Sequence, residues 1–525
     1  MRTWLSISAG QSRRFLKAPS LIVALLLATT STAAPNTQAT PPHGDQLSLP
    51  SQLHAMRSIT LTDATARSVP GKFNLLLGTF DIASVGYVGQ EFFISGQATS
   101  FTQASPFRSD GQWTAVPVVQ ESYTTRIVVL QPMDSSKFNG TVIVEWLNVT
   151  GGLDAPADWI MAHREMVRDG YVYVAVSAQR VGVEGGPSRG TDMSLKKLDA
   201  ERYGDLHHPG DAFAFDIYSQ AGRLVRDHSA ALGLPEPSHI LAVGESQSAM
   251  FLTTYINAID PLAKVFDGFL VHSRFAPAAP LDGSSVMDAS MSGMPDAPRL
   301  RTNLRVPVMT FITETDLLGG PRRGFHVARQ PDNERLRVWE VAGTAHADNY
   351  TIQVGFIDSG LLPVEQLAAA YAPTSLLMGA QLPSAINFAP QHHYVLQAAL
   401  VGLNRWVRDG VAPPEGSQLI LAQSDPAQLS VDANGVALGG IRTPWVDVPV
   451  ARTSGVGDAS SAMGILFGSG EPLDDATLER LYPDGLTDYL TRFETSLDAS
   501  ISAGFLLPSD RTEILALATA MYPEE

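Results

Sequence analysis

From Leu241 to Met250 the chain changes character halfway: the apolar run Leu241-Ala242-Val243 ends at Gly244-Glu245-Ser246-Gln247-Ser248, and a helix-compatible pattern follows. A tight turn from a strand into a helix pushes a serine hydroxyl out of the sheet. It also sets the next backbone N–H groups at a helix N-terminus, where they can stabilise an oxyanion. Ser246 is therefore the candidate nucleophile and the Gln247 amide a candidate oxyanion donor. Gly244 is the small residue that such a turn needs, and Ser248 stands where a second glycine is usual, a modest departure. Gly-x-Ser-x-small recurs by chance in any long chain, so the motif gains weight only through its partners.

A serine in such a turn works with an acid and a base that follow it along the chain, each just after a strand. Arg305 to Thr313 reads as a buried strand and empties into Glu314-Thr315-Asp316-Leu317-Leu318-Gly319-Gly320, a loop with two carboxylates. Leu336 to Val341 reads as another strand, followed by Ala342-Gly343-Thr344-Ala345-His346-Ala347-Asp348. A lone histidine is ordinarily a surface group or a satisfied core group. The place of His346, past a strand and behind a small-residue loop, assigns it the base role instead. Asp316 falls at the acid position without a gap. Glu314 is nearer the strand end, and its longer side chain can also reach, so the acid is Asp316 or Glu314.

Of the 525 residues 44% are hydrophobic and only 17% charged, enough apolar material for one large domain. Residues 1–33 read as a signal peptide: positive charge at Arg2, Arg13, Arg14 and Lys17, an apolar run Leu21 to Ala28, then small residues with a cut after Ala33. Ser12-Arg13-Arg14-Phe15-Leu16-Lys17 resembles a twin-arginine signal with one residue missing, which leaves Sec as the default route to the periplasm or medium. The apolar run is too short to serve as a stable membrane anchor. Removing residues 1–33 takes away four positive charges and no negative one, moving the net charge from −17 to −21. A surface that acidic disfavours nucleic acid and anionic membranes. Cysteine is absent, which excludes disulfides, a thiol nucleophile and cysteine metal sites. No phosphate-binding, dinucleotide, calcium or paired-histidine motif occurs, so no cofactor is expected. His207, His208, Asp211 and Asp216 cluster without metal-ligand spacing and read as structural. Arg274 and Arg442 read as partners of buried carboxylates or as substrate contacts, with the structural role favoured.

Residues 34–55, rich in Pro, Thr, Gln and Ser, read as a flexible leader, and residues 56–525 as one domain. Val85 to Ser100 alternates as antiparallel strands do. Strands are then expected at Thr124–Leu130, Thr141–Leu147, Val172–Ala178, His239–Val243, Phe266–His272, Val306–Thr313 and Leu336–Val341, with helices at Asp158–Asp169, Asp211–Leu232 and Ala249–Ile259 between them. Buried strands alternating with helices mean a mostly parallel, doubly wound α/β sheet with helices on both faces. Two long connections, 179–210 and 273–303, fall where insertions lie over the active site as a lid or walls. Past a helix at Tyr394–Asp409, a β-rich extension is expected from Pro413 to about Ala451, then helices over 473–524.

Several separated blocks carry a resemblance: Val144-Glu145-Trp146-Leu147-Asn148-Val149-Thr150-Gly151-Gly152, Glu201-Arg202-Tyr203-Gly204, His208-Pro209-Gly210-Asp211-Ala212-Phe213, Gly244-Glu245-Ser246-Gln247-Ser248, Glu340 through Asp348, and Gly439-Gly440-Ile441-Arg442-Thr443-Pro444. On these, from about Ser58 to the C-terminus, the chain resembles the secreted "alpha/beta hydrolase domain" proteins, a branch of the α/β-hydrolase superfamily. The resemblance implies an α/β-hydrolase fold with a serine triad and no particular substrate. In related esterases a Gly-rich turn after the strand at 141–147 gives the second oxyanion donor, here one of Asn148, Val149, Thr150, Gly151 and Gly152. The expectation is an exported serine hydrolase acting on a small-molecule carboxylic ester. The same triad would serve an amidase or peptidase, and a binding protein on a degenerate hydrolase fold would have lost nucleophile or base.

Overall fold

The computed structural model describes residues 62–287, 293–377, 379–461 and 463–523. The signal-peptide and leader segments expected at 1–33 and 34–55 lie outside the described residues. Nine strands form one sheet: β1 (Thr65–Val69), β2 (Tyr87–Gln103), β3 (Ala115–Pro132), β4 (Thr141–Trp146), β5 (Val172–Val176), β6 (His239–Glu245), β7 (Gly268–His272), β8 (Val308–Ile312) and β9 (Leu336–Glu340), in the order β1-β2-β3-β5-β4-β6-β7-β8-β9. β1, β2 and β3 pair antiparallel, β3 pairs antiparallel with β5, and everything from β5 to β9 is parallel. The alternation read over 85–100 is a single 17-residue strand, β2.

The parallel strands are continuous apolar runs because both their faces are covered. In β6, Ile240 and Ala242 point into one core with the helices Ala214–Asp227 and Gln247–Thr254. Leu241 and Val243 point into the other, against the helices Ala157–Arg168, Gln391–Asp409, Leu486–Ser502 and Arg511–Met521. Burying each of the larger of these side chains contributes roughly 1.5–3 kcal/mol. The first helix is also anchored by a buried carboxyl: Glu145 of β4 accepts from the Asp158 and Trp159 amides (3.0 and 2.9 Å), two donors that a helix start leaves without intrahelical partners.

Strand order reverses at β4, which has β5 on one side and β6 on the other. Ligand sites in open α/β sheets form at the carboxyl ends of strands where the order reverses. The turns after β4 and β6 both open there. The C-terminal extension carries the expected β-structure as a small unit apart from the main sheet: the hairpin Leu421–Ser424/Ala427–Leu429, the bridges Leu419–Gly439 and Val431–Ala437, and the short helix Pro444–Asp447. Its role at the β9 edge is to cap it, through an Ile441 N–H bond to the Glu340 carbonyl (2.7 Å) and a Leu419 N–H bond to the Glu340 carboxylate (2.8 Å).

Candidate active site

β6 and the helix Gln247–Thr254 meet at Ser246, whose φ of 56° lies in the left-handed region. Holding a non-glycine residue there costs on the order of 1–3 kcal/mol. The conformation is pinned by the Ser246 N–H bond to the His272 carbonyl at the end of β7 (2.9 Å). A Cβ on Gly244 would stand 3.0 Å from Ser248 Cβ and 3.1 Å from Leu252 Cδ1, so the returning helix leaves room for little but glycine. Ser248 fits the second small position by packing its buried side chain against that glycine.

The structure brings three of the sequence candidates into one line. Ser246 Oγ, half-buried, lies 2.8 Å from His346 Nε2, and His346 Nδ1 lies 2.6 Å from Asp316 Oδ1. Asp316 is fixed by its own helix start: it sits third in Glu314–Leu318, where Oδ2 accepts from the Thr313 amide (2.9 Å) and hydroxyl (2.7 Å) while Thr313 Oγ1 accepts from the Asp316 amide. One carboxylate thus caps a helix with one oxygen and orients an imidazole with the other. Burial pushes the Asp316 carboxyl up, but the adjacent imidazole and the Thr313 bonds outweigh it and hold the group below the usual carboxylate range. For His346 burial works downward, and the charge and hydrogen bond of Asp316, with Glu245 adding, lift it above the ordinary histidine value. The Phe275 ring stacks on the imidazole, centroids 5.1 Å apart.

Glu314 is turned away from His346. Its buried carboxylate accepts from the amides of Gly343 (2.5 Å) and Gly455 (2.7 Å) and from the Ser454 hydroxyl (3.0 Å). It ties the histidine loop to the C-terminal extension, and burial raises it despite those three donors.

Gln247 occupies the first position of its helix, where the amide has no intrahelical acceptor. In the turn after β4, Asn148 N–H donates to the Ala155 carbonyl (3.0 Å), Thr150 N–H to Asn148 Oδ1 (2.8 Å) and Gly152 N–H to the Val149 carbonyl (3.0 Å). Val149 N–H instead meets Gln247 Oε1 at 3.1 Å, which places that amide beside the residue following Ser246. Gly151 and Gly152 serve close packing of the 179–210 connection: Arg189 N–H and Met193 N–H donate to the Thr150 and Gly152 carbonyls, and a Cβ on Gly152 would come within 2.5 Å of the Thr191 carbonyl.

The polar cluster is dispersed among separate partners. His208 Nε2 donates to the Ala178 carbonyl (2.8 Å) and its Nδ1 accepts from Gly210 N–H, Asp211 accepts from Arg180 N–H (2.7 Å), Asp216 from Thr99 N–H (2.8 Å), and the His207 backbone bridges to Thr124. Arg274 corrects its sequence reading: it is buried without a carboxylate, donating to the carbonyls of Phe275, Ala276 and Pro298 over the Phe325 ring, and burial pushes it down to about 9. Arg442 pairs with Asp447 (2.5 Å), but that carboxylate is exposed rather than buried.

Two neighbours of the site left no signal in the sequence. Phe275 lay inside the 273–303 connection. Beneath the site lies a second acid–imidazole chain, Asp158 Oδ1 to His272 Nδ1 (2.9 Å) and His272 Nε2 to His392 Nε2 (2.9 Å), whose members come from three distant segments. Glu245, which adjacency to Ser246 marks as able to tune the site or to bond neighbouring backbone, places Oε1 3.3 Å from His346 Nε2.

A parallel sheet reversing at β4, with a strained serine in the turn after β6, defines an α/β-hydrolase. The chain belongs to the family described as "Alpha/beta hydrolase domain", whose model matches residues 50–516. No curated protein matches it. Among solved structures, a putative dienelactone hydrolase from Klebsiella pneumoniae subsp. pneumoniae MGH 78578 is 11% identical over 51% of this chain and 92% of its own, with a TM-score of 0.25. A structure from a study of two fungal esterases from Rhizomucor miehei is 13% identical over 49% and 77% (TM-score 0.26), and esterase Est22 is 14% identical over 51% and 76% (TM-score 0.28).

Proposed function

We infer that this hydrolase cleaves carboxylic esters through Ser246, with His346 as base and Asp316 as the acid that orients it. The observation that carries the reading is the unbroken line Ser246 Oγ, His346 Nε2, His346 Nδ1, Asp316 Oδ1, at 2.8 and 2.6 Å. His346 Nε2 takes the Ser246 proton as Oγ attacks the ester carbonyl. The oxyanion of the tetrahedral intermediate faces the Gln247 amide and, once Gln247 Oε1 moves aside, the Val149 amide. Collapse expels the alcohol, which leaves with the proton from Nε2, and an acyl-enzyme remains. Water then attacks the acyl carbonyl, giving its proton to Nε2, and Ser246 departs taking that proton back. Asp316 keeps Nδ1 protonated throughout, so the Nε2 lone pair faces the serine.

Ester is preferred to amide because the alcohol leaves more readily; an amide needs the same groups and a better-protonated leaving nitrogen. The mature enzyme is proposed to begin at Ala34 and to work outside the cytoplasm, supported by the charged, apolar and small-residue order of residues 1–33. A panel of p-nitrophenyl esters and the matching anilides tests the chemistry. Ester turnover that disappears in Ser246→Ala supports the reading; ester turnover kept by the folded Ser246→Ala protein contradicts it.

A further inference from the structure

Glu245 closes β6 immediately before the nucleophile, and its side chain is only 13% exposed. Oε2 accepts from Asn148 Nδ2 at 2.9 Å, and the same Asn148 amide group reaches the Glu245 carbonyl at 3.2 Å, so the carboxyl is clamped from the turn after β4. The clamp leaves Oε1 directed at His346 Nε2, 3.3 Å away. That is the nitrogen which also meets Ser246 Oγ. Among the described residues His346 is the only ion-pair partner recorded for Glu245, and no arginine or lysine compensates it. Burying a carboxylate without a cation is costly, yet the side chain is held in place rather than turned to solvent.

The groups around it are Asp316 from the helix Glu314–Leu318, Asp158 from the helix Ala157–Arg168, His346 from the loop after β9, Asn148, and His272, its register partner on β7. Burial, with Asp158 and Asp316 adding and His346 opposing, pushes the carboxyl up to about 8. His272 is held neutral by burial, so it offers no compensating charge near neutrality.

We propose that Glu245 is a positioning residue for the same reaction, a second carboxylate acting on the proton-carrying edge of His346. The proposal rests on the serine-hydrolase reading above. When the Ser246 proton reaches Nε2, the imidazolium lies between two carboxylates, Asp316 on Nδ1 and Glu245 on Nε2. The second charge therefore favours the state after proton transfer over the state before it, which lowers the barrier without strengthening substrate binding. In its acid form the Glu245 hydroxyl competes with Ser246 for the Nε2 lone pair. Turnover should then keep rising as Glu245 ionises, beyond the pH at which a lone Asp–His pair would level off.

The test is Glu245→Gln in the full chain, which preserves size and the Asn148 acceptor and removes the charge. The expected result is a kcat for p-nitrophenyl acetate about tenfold lower at pH 9 with KM little changed, and an acid limb moved down by about one pH unit, a tenfold change in the equilibrium. The His346 titration, followed by NMR of protein labelled with [13Cε1]histidine and assigned with His346→Gln, should move down by the same amount. Glu245→Asp should recover part of both shifts. A Glu245→Gln protein whose pH–rate limb and His346 titration overlay the wild type overturns the proposal, even if it is less stable, and reduces Glu245 to a clamp for Asn148. The titration needs no turnover, so this outcome is separate from failure of the serine reading, which Ser246→Ala decides.

Discussion

Two imidazoles each have Nδ1 on a buried aspartate, one in the loop past β9 and one closing β7. His346 has Asp316 at 2.6 Å and His272 has Asp158 at 2.9 Å. The difference is on the other nitrogen. His346 Nε2 faces the hydroxyl of a half-buried serine, whereas His272 Nε2 faces His392, and both of those rings are buried. Environment follows: His346 is lifted above its ordinary value, and His272 is pushed well below it, by burial first and then by the neighbouring His392. Asp316 is held low while burial pushes Asp158 up to about 8. An acid–histidine pair is therefore not a site by itself. On the proposed reading, what the second nitrogen meets separates a proton carrier from a core strut.

The largest expected effects fall on the outer pair. Ser246→Ala and His346→Ala should each reduce kcat by roughly 10^4-fold or more with the far-UV spectrum unchanged. Asp316→Asn should cost about 10^4-fold in kcat because the wrong imidazole tautomer faces the serine. Glu314→Gln, measured beside it, should keep kcat within about tenfold and instead lose about 2 kcal/mol of stability, since an acceptor of three bonds is weakened in the core. An Asp316→Asn enzyme with most of its activity, paired with an inactive Glu314→Gln, would reverse the assignment.

The candidate site was legible to the extent that its parts are local. Ser246, Asp316 and His346 each follow an apolar strand within a few residues, and β4 to β9 announced themselves as buried runs because both faces of a parallel strand are covered. Contacts closed by the tertiary fold left no such trace. The Glu314 bond to Gly455 spans 141 residues, and His272 to His392 spans 120. The two carboxylates of Glu314–Leu318 could not be told apart in sequence, because what separates them is the Thr313 capping box against the approach of the extension. The stretch 413–451, expected to be β-rich, forms a small β unit of its own beyond β9, and the bridge Val341–Ile441 ties it to the sheet edge.

The inner pair gives smaller effects of a different kind. His272→Gln should leave kcat within about tenfold while destabilising the fold by about 2 kcal/mol, because Asp158 and His392 lose a buried partner together; a loss of activity comparable to His346→Ala would erase the distinction drawn between the pairs. Smallest is the pH dependence of stability. His346, raised in the fold, contributes stability present below its unfolded value of roughly 6.5 and lost as pH rises through the folded value. His272, lowered in the fold, makes the protein lose stability as pH falls below roughly 6.5. Guanidinium midpoints measured from pH 5 to 9 should show a shallower alkaline decline in His346→Gln and a shallower acid decline in His272→Gln, the raised carboxyls and the other lowered histidines keeping the remainder. The same tilt in both variants would contradict the opposite shifts.

The central claim is that Ser246 alone carries the nucleophile, activated by His346. Reaction of the full-length protein with a fluorophosphonate probe, followed by peptide mass spectrometry, addresses it directly. The account predicts one adduct, on Ser246, absent from Ser246→Ala and strongly slowed in His346→Ala. An unlabelled wild-type protein, or an adduct on Ser248 or Ser273 with Ser246 unmodified, would contradict it.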